Sequence, residues 1–181
     1  LEHFLDVSGF TFGASKADVA RQEGKLLGHI VTRKGAKPDG ERTAAIVNFA
    51  PLREVQHVRQ FLGCANWVRW YLPSTYATAV KHLSEYLKAG AVFPEAGLGG
   101  EGQTKGDQAV RAIKAMCRHS IETSVLDEAA AIDGTRPLEQ VADACGYAWG
   151  STNVQMSSDL TTFRVLLMAG KGFTPAQQAW P

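Results

Sequence analysis

The stretch Val55-Gln56-His57-Val58-Arg59-Gln60-Phe61-Leu62-Gly63-Cys64-Ala65-Asn66-Trp67 decides how the whole chain is read. Val55, Val58, Phe61, Leu62 and Ala65 recur at spacings of three and four, which places them on one stripe of an amphipathic helix. Arg59, Gly63 and Trp67 recur every fourth residue and so line another face of it. Pro73 stops the helical pattern. Ser74 is then the expected N-cap of a second helix through Lys88, with Ala77, Val80, Leu83 and Leu87 as its apolar face. Two helices joined by a tight proline-containing turn predict a helical hairpin.

Working outward, residues 1–50 read as β-rich with turns. The apolar run Leu26-Leu27-Gly28-His29-Ile30-Val31 is followed by the charged turn Arg33-Lys34-Gly35, and Lys37-Pro38-Asp39-Gly40 makes another, the pattern of a hairpin. A short helix is expected from Glu41 to Phe49, ended by Pro51. On the other side, Gly90, Gly97, Gly99, Gly100, Gly102 and Gly106 predict a linker or exposed loop. The string Gly97-Leu98-Gly99-Gly100-Glu101-Gly102 lacks the Lys-Ser/Thr that a phosphate-binding loop requires. Asp107 is the expected cap of a helix through about His119, with Ala109, Ile113 and Met116 inward.

From residue 123 the pattern turns to strands. Ser124-Val125-Leu126 is followed by a polar, acidic loop through Arg136. Gln140 to Cys145, Thr152 to Met156 and Phe163 to Met168 then predict three consecutive strands with short turns, an antiparallel meander. Gly170-Lys171-Gly172 reads as a turn, and Thr174-Pro175 opens a helix. The fold class is α+β, a helical hairpin followed by a strand meander.

Composition narrows the function classes. A hydrophobic content of 45% against 20% charged residues fits a folded chain, and 181 residues allow one ordinary domain or two small ones. The net charge of +1 advertises no global attraction for nucleic acid, so any such binding must rest on a local patch. Residues 53–88 hold such a patch: Arg53, Arg59, Arg69, Lys81 and Lys88 against Glu54 and Glu85. Cys64, Cys117 and Cys145 are too widely spaced for a paired metal motif and are expected to be buried thiols in a reducing, intracellular compartment. The five histidines form no helical ligand pair, so no zinc is expected. No run of about 18 uncharged apolar residues predicts a membrane span. The opening Leu1-Glu2-His3-Phe4, without an initiator Met or signal peptide, reads as a piece cut from something longer.

Two strings carry a specific resemblance. The first runs Leu27-Gly28-His29-Ile30-Val31-Thr32, Gly35, Pro38, then Phe49-Ala50-Pro51. It continues with Arg59-Gln60-Phe61-Leu62-Gly63-Cys64-Ala65-Asn66-Trp67, Arg69 and Tyr71-Leu72-Pro73. It resembles the palm-to-thumb region of Ty3/Gypsy-type retrotransposon reverse transcriptases. The second, Gln108-Ala109, Ile113-Lys114, Val125-Leu126, Val141-Ala142-Asp143-Ala144, Gly146, Trp149-Gly150 and Gln155, is similar to the same family's entry into RNase H. The closing Thr174-Pro175-Ala176-Gln177-Gln178-Ala179-Trp180 also resembles it. Cys145 stands where the family has Ser, the loop from Glu128 to Arg136 is longer, and Phe93-Pro94 departs from its Phe-x-Trp. The resemblance implies the end of a palm over residues 1–51 and a helical thumb over 52–90. A linker with a helix would follow over 91–122, and the N-terminal part of an RNase H-like domain over 123–181.

It also implies where chemistry should sit. Nucleotidyl transfer and RNA hydrolysis both need divalent ions held by clustered carboxylates. The polymerase aspartate pair of this family would precede residue 1. Of four RNase H carboxylates, only the first has a counterpart, Asp143. One carboxylate cannot hold two Mg²⁺ ions, so the chain by itself is expected to be catalytically silent, with Mg²⁺ relevant only in a complete RNase H. Asp143 is either a metal ligand in a longer polyprotein or, in this chain, a carboxylate that is solvated or paired with a Lys or Arg. By the same resemblance, Arg59, Gly63 and Trp67, with Arg69 beside them, would lie along the minor groove of an RNA–DNA hybrid or duplex. The alternative for Trp67, Trp70 and Tyr71 is packing between helices. Two functions therefore stand open. One is a polymerase fragment that grips nucleic acid; the other is a degenerate or domesticated structural subunit held by protein partners in a larger assembly.

Overall fold

The computed structural model describes residues 21–179. Expectations for residues 1–20, and for Trp180 in the closing motif, lie outside them. The described residues open with β1 (Glu23–Leu26), β2 (His29–Thr32) and β3 (Gly35–Pro38), antiparallel neighbours in that order. Leu27 and Gly28 form the two-residue β1–β2 turn with φ of 49° and 81°. Two successive positive φ values match the right-handed twist of a hairpin. The expected hairpin thus becomes three strands, because Gly35 begins one instead of sitting in a turn. A fourth, two-residue strand β4 (Thr123–Ser124) pairs with β3. A Cβ at Gly35 would lie 1.6 Å from the Thr123 carbonyl oxygen, so the approach of β4 requires glycine there. The strand expected at 124–126 is therefore shorter and belongs to this first sheet, not to the later meander.

Helix α1 (Gly40–Val47) starts at Asp39, whose carboxylate accepts from the Glu41 amide, and matches the short helix expected from the sequence. Helix α2 (Val55–Trp67) buries Val58, Phe61 and Ala65, the stripe read from the sequence, and continues into a 3₁₀ turn (Arg69–Tyr71). Phe61, fully buried, meets Phe49 edge to face with ring centroids 5.4 Å apart. Helix α3 (Tyr76–Ser84) is followed by a second 3₁₀ turn (Glu85–Leu87). Its N-cap is Thr75, not Ser74, and no side chain caps it; Ser74 contributes only a carbonyl to the Ala77 amide. Ala79 and Leu83 form its buried face. The helix packs mainly along helix α4 (Lys105–Arg118), so the two helices of the expected hairpin do not pair chiefly with each other.

The glycine-rich segment is fastened down, contrary to the free linker expected from its composition. Leu52 and Leu98 form a β-bridge and both are fully buried. Arg111 donates to the carbonyls of Gly100 and Gly102, and the Gly99 amide donates to Asp107 at 3.0 Å. Thr104, not Asp107, is the N-cap of α4; Asp107 sits at the third helical position and completes a capping box. Burial alone would raise the Asp107 carboxyl, but hydrogen bonds from the Thr104 hydroxyl and the Gly99 and Thr104 amides outweigh it and hold it below the usual range.

Short helix α5 (Glu128–Ile132) occupies part of the expected acidic loop. The meander then forms as β5 (Leu138–Cys145), β6 (Ala148–Met156) and β7 (Phe163–Gly172), antiparallel in the order β5-β6-β7. Gly170-Lys171-Gly172 belongs to β7 and is not a turn, because it pairs with β6 from Gly150 to Ala148. Helix α6 (Pro175–Gln178) has Thr174 and Gln177 as a capping box. The main apolar cluster lies between Ile46 and Cys117, whereas the meander's buried positions include Ser151, Gln155 and Ser157. Gln155 ties the sheet to the 127–136 segment, accepting from the Asp127 amide and donating to the Asp127 and Arg136 carbonyls. Of the three cysteines Cys117 alone is buried; Cys64 and Cys145 are exposed, which corrects the expectation of three interior thiols.

Candidate nucleic-acid interface

Helix α2 turns its apolar stripe into the core, and this leaves Arg59, Gly63 and Trp67 outward. Arg59 is exposed and has no carboxylate partner among the described residues. Gly63 is exposed, with helical backbone, and a Cβ built on it would meet nothing within 4 Å. Nothing among the described residues therefore requires a glycine at this position. With a rise of about 1.5 Å per residue, Arg59 and Trp67 stand roughly 6 Å on either side of it along the axis.

Trp67 is partly packed and partly exposed. One part of the indole is held: it stacks on His29, ring centroids 5.6 Å apart and planes within 10°, and the Arg42 guanidinium lies 5.9 Å from the ring. His29 Nδ1 and the Tyr71 hydroxyl share a hydrogen bond of 3.1 Å. A Cβ at Gly28 would stand 3.1 Å from Trp67 Nε1, so the β1–β2 turn abuts the indole closely. Even so, Trp67 stays 45% exposed. It is a fixed ring with a free surface. Tyr71, by contrast, is buried in the core, where burial pushes its hydroxyl above the usual range.

Asn66 was not singled out from the sequence, yet it falls seven residues after Arg59, close to two helical turns, and is exposed on nearly the same line. The signal that could have found it was the spacing of seven. Arg69 does not continue that line. Its guanidinium lies 4.2 Å over the Trp70 ring, and Nη1 donates to Asn66 Oδ1 at 3.4 Å. It stands instead in a cleft between α3 and the end of β7.

Asp143 is remote from this face. It lies on β5 opposite Gly150, is exposed, and accepts a hydrogen bond from the Ala144 amide at 2.8 Å. No Lys or Arg pairs with it among the described residues, which leaves the solvated state of the two alternatives. No group of three or more His, Cys, Asp or Glu side chains converges among the described residues. The donor set around Asp143 does not fit a two-ion Mg²⁺ site, and no catalytic step follows from it. No helix of the described residues is long and apolar enough to cross a membrane.

The fold, mixed helices with antiparallel sheets, resembles a reverse transcriptase/RNase H-like fold. It matches the foamy viral protease-reverse transcriptase in complex with an RNA/DNA hybrid at a TM-score of 0.65 and 16% identity, covering 92% of this chain and 21% of that one. The complex of the same protease-reverse transcriptase with dsDNA gives a TM-score of 0.62 at 16% identity, covering 92% and 32%. In sequence, the chain is 34% identical over 73 residues to the retrovirus-related Pol polyprotein from transposon 297 of Drosophila melanogaster, a match spanning 40% of this chain and 7% of that polyprotein. No family model matches the chain. It thus spans less than a third of each protein it resembles, and its sequence relationship is to a retroelement Pol polyprotein.

Proposed function

We propose that this chain is the thumb-to-RNase H segment of a Ty3/Gypsy-type Pol polyprotein, and that it grips an RNA–DNA hybrid without performing chemistry by itself. The observation that carries the reading is the exposed, unobstructed Gly63 between Arg59 and Trp67. A helix laid along a shallow minor groove gains most where its ridge is lowest, and glycine lets the backbone come nearest. Arg59 then reaches phosphates or base edges on one side, and the fixed Trp67 ring packs against sugars on the other. The patch is small, so binding is weak and falls steeply with salt as counterions are released. Asp143, which belongs to no group of three or more His, Cys, Asp or Glu side chains among the described residues, suits a segment whose chemistry needs carboxylates from elsewhere.

The test is a fluorescence-anisotropy titration of a 20-base-pair RNA–DNA hybrid with the full chain at several salt concentrations. Binding should be measurable near 50 mM salt and lost toward 200 mM. Arg59→Ala should weaken it several-fold and lower the log–log salt slope by about one. A folded sample that shows no binding at low salt refutes the reading. That result would favour a structural subunit packed into a larger assembly. The exposed apolar side chains Leu138, Val141, Phe163 and Leu167 on the meander are what support this second reading.

A further inference from the structure

Beside the α2 face, a cleft of about 570 Å³ opens between α3 and the end of the meander. Lys81 of α3 and Lys88, just past the following 3₁₀ turn, line it together with Lys171 of β7, Tyr147 of the β5–β6 turn, Asn66 and Arg69. Glu85 is the one carboxylate among the lining residues, and it is spent on Lys88 at 2.5 Å. Arg69, Lys81 and Lys171 form no salt bridge among the described residues, although Glu85 also attracts Lys81. Four cations against one carboxylate in a concave surface focus a positive potential that a flat surface would dissipate.

Two of these cations are also held in place. The Lys81 ammonium lies 3.6 Å from the centroid of the Tyr147 ring, and Tyr147 sits in the two-residue turn between β5 and β6. The Arg69 guanidinium is stacked on Trp70. A ring face positions a cation without neutralising it, so the full charge stays available to an incoming anion. Asn66 joins the cleft to the outward stripe of α2, because it belongs to both.

We infer that this cleft is a second anion site, which takes phosphates of a phosphodiester backbone running on from the Arg59–Trp67 face. The inference rests on the hybrid-binding reading but adds a separate contact, made by Lys81, Lys171 and Arg69. A nucleic-acid backbone is the ligand favoured by the continuity through Asn66, which lines the cleft and lies on the exposed side of α2.

The test compares a Lys81→Gln/Lys171→Gln double variant, Arg59→Ala, and Lys105→Gln at the start of α4, outside the cleft. Each full chain is titrated with the same hybrid over a range of salt, after circular dichroism has shown that it is folded. Lys81→Gln removes the ammonium over Tyr147 and keeps only the inner half of the stem, so Lys171→Gln alone serves if the double variant misfolds. The double variant should bind about threefold to tenfold more weakly and lower the log–log salt slope by nearly two, against nearly no change for Lys105→Gln. If Arg59→Ala weakens binding and the cleft variants do not, the cleft inference fails and the α2 reading stands. If none weakens binding, both fail. Tripolyphosphate that binds through Lys81 and Lys171, with hybrid affinity unaffected by their loss, would also overturn it.

Discussion

Gly63→Ala separates what the fold needs from what a ligand needs. Glycine in an exposed helix interior is about 0.8–1 kcal/mol less favourable than alanine, mainly through backbone entropy. The new methyl would meet nothing within 4 Å, so no clash offsets that gain. Stability should rise by about 1 kcal/mol, which for a chain of this size lifts Tm by about 2–4 °C. Affinity should move the other way. A methyl wedged between the helix backbone and the floor of a groove costs about 1–3 kcal/mol, roughly a fivefold to hundredfold weaker Kd. Thermal unfolding followed by circular dichroism gives the first quantity, and the hybrid titration gives the second. A lower Tm would show that Gly63 is packed after all. A higher Tm with unchanged affinity would show that nothing approaches the helix there.

Two further expectations concern the interior. Asp107→Ala removes the acceptor for the Gly99 and Thr104 amides and the Thr104 hydroxyl, and should cost about 2–4 kcal/mol in urea unfolding at pH 7. Because its carboxyl is held below the usual range, its contribution is present above about pH 4 and is lost as pH falls through the depressed value. The variant should therefore show a flatter loss of stability in acid, and an unchanged acid slope would count against the capping role. Burial pushes the Cys117 thiol up to about 11, whereas backbone hydrogen bonding from Tyr147, followed by smaller contributions, holds exposed Cys145 below its ordinary value. A thiol reagent at pH 8 should modify Cys145 and Cys64 quickly and Cys117 only on unfolding; three fast thiols would contradict the described packing.

How legible each part was in the sequence depended on the range of the interaction behind it. The α2 stripe of Val58, Phe61 and Ala65 is periodic within one helix, and it is buried as read. The meander was equally visible, since its strands pair with their immediate neighbours. Misreadings arose where distant residues decide. Gly35 and Gly170 looked like turn signals but lie in strands, because β4 and β6 come close to them. Asp107 looked like a cap; Thr104, three residues earlier, holds that position because its hydroxyl reaches the Asp107 amide at 3.0 Å. At the candidate interface, spacing put Arg59, Gly63 and Trp67 on one helical face, which is exposed, while the role given to them there came only from the resemblance. His29, Arg42 and Lys171 were not, because they reach the site from other elements.

The pinned glycine segment has a mechanical consequence. A tract with so little side-chain bulk would ordinarily act as a slack tether, letting the pieces on either side wander and inviting nicking by proteases. Here the Leu52–Leu98 bridge and the grip of Arg111 turn it into a short brace across the helices. The approach to α2 and the first turns of α4 are thereby held to each other through backbone that composition alone would leave slack.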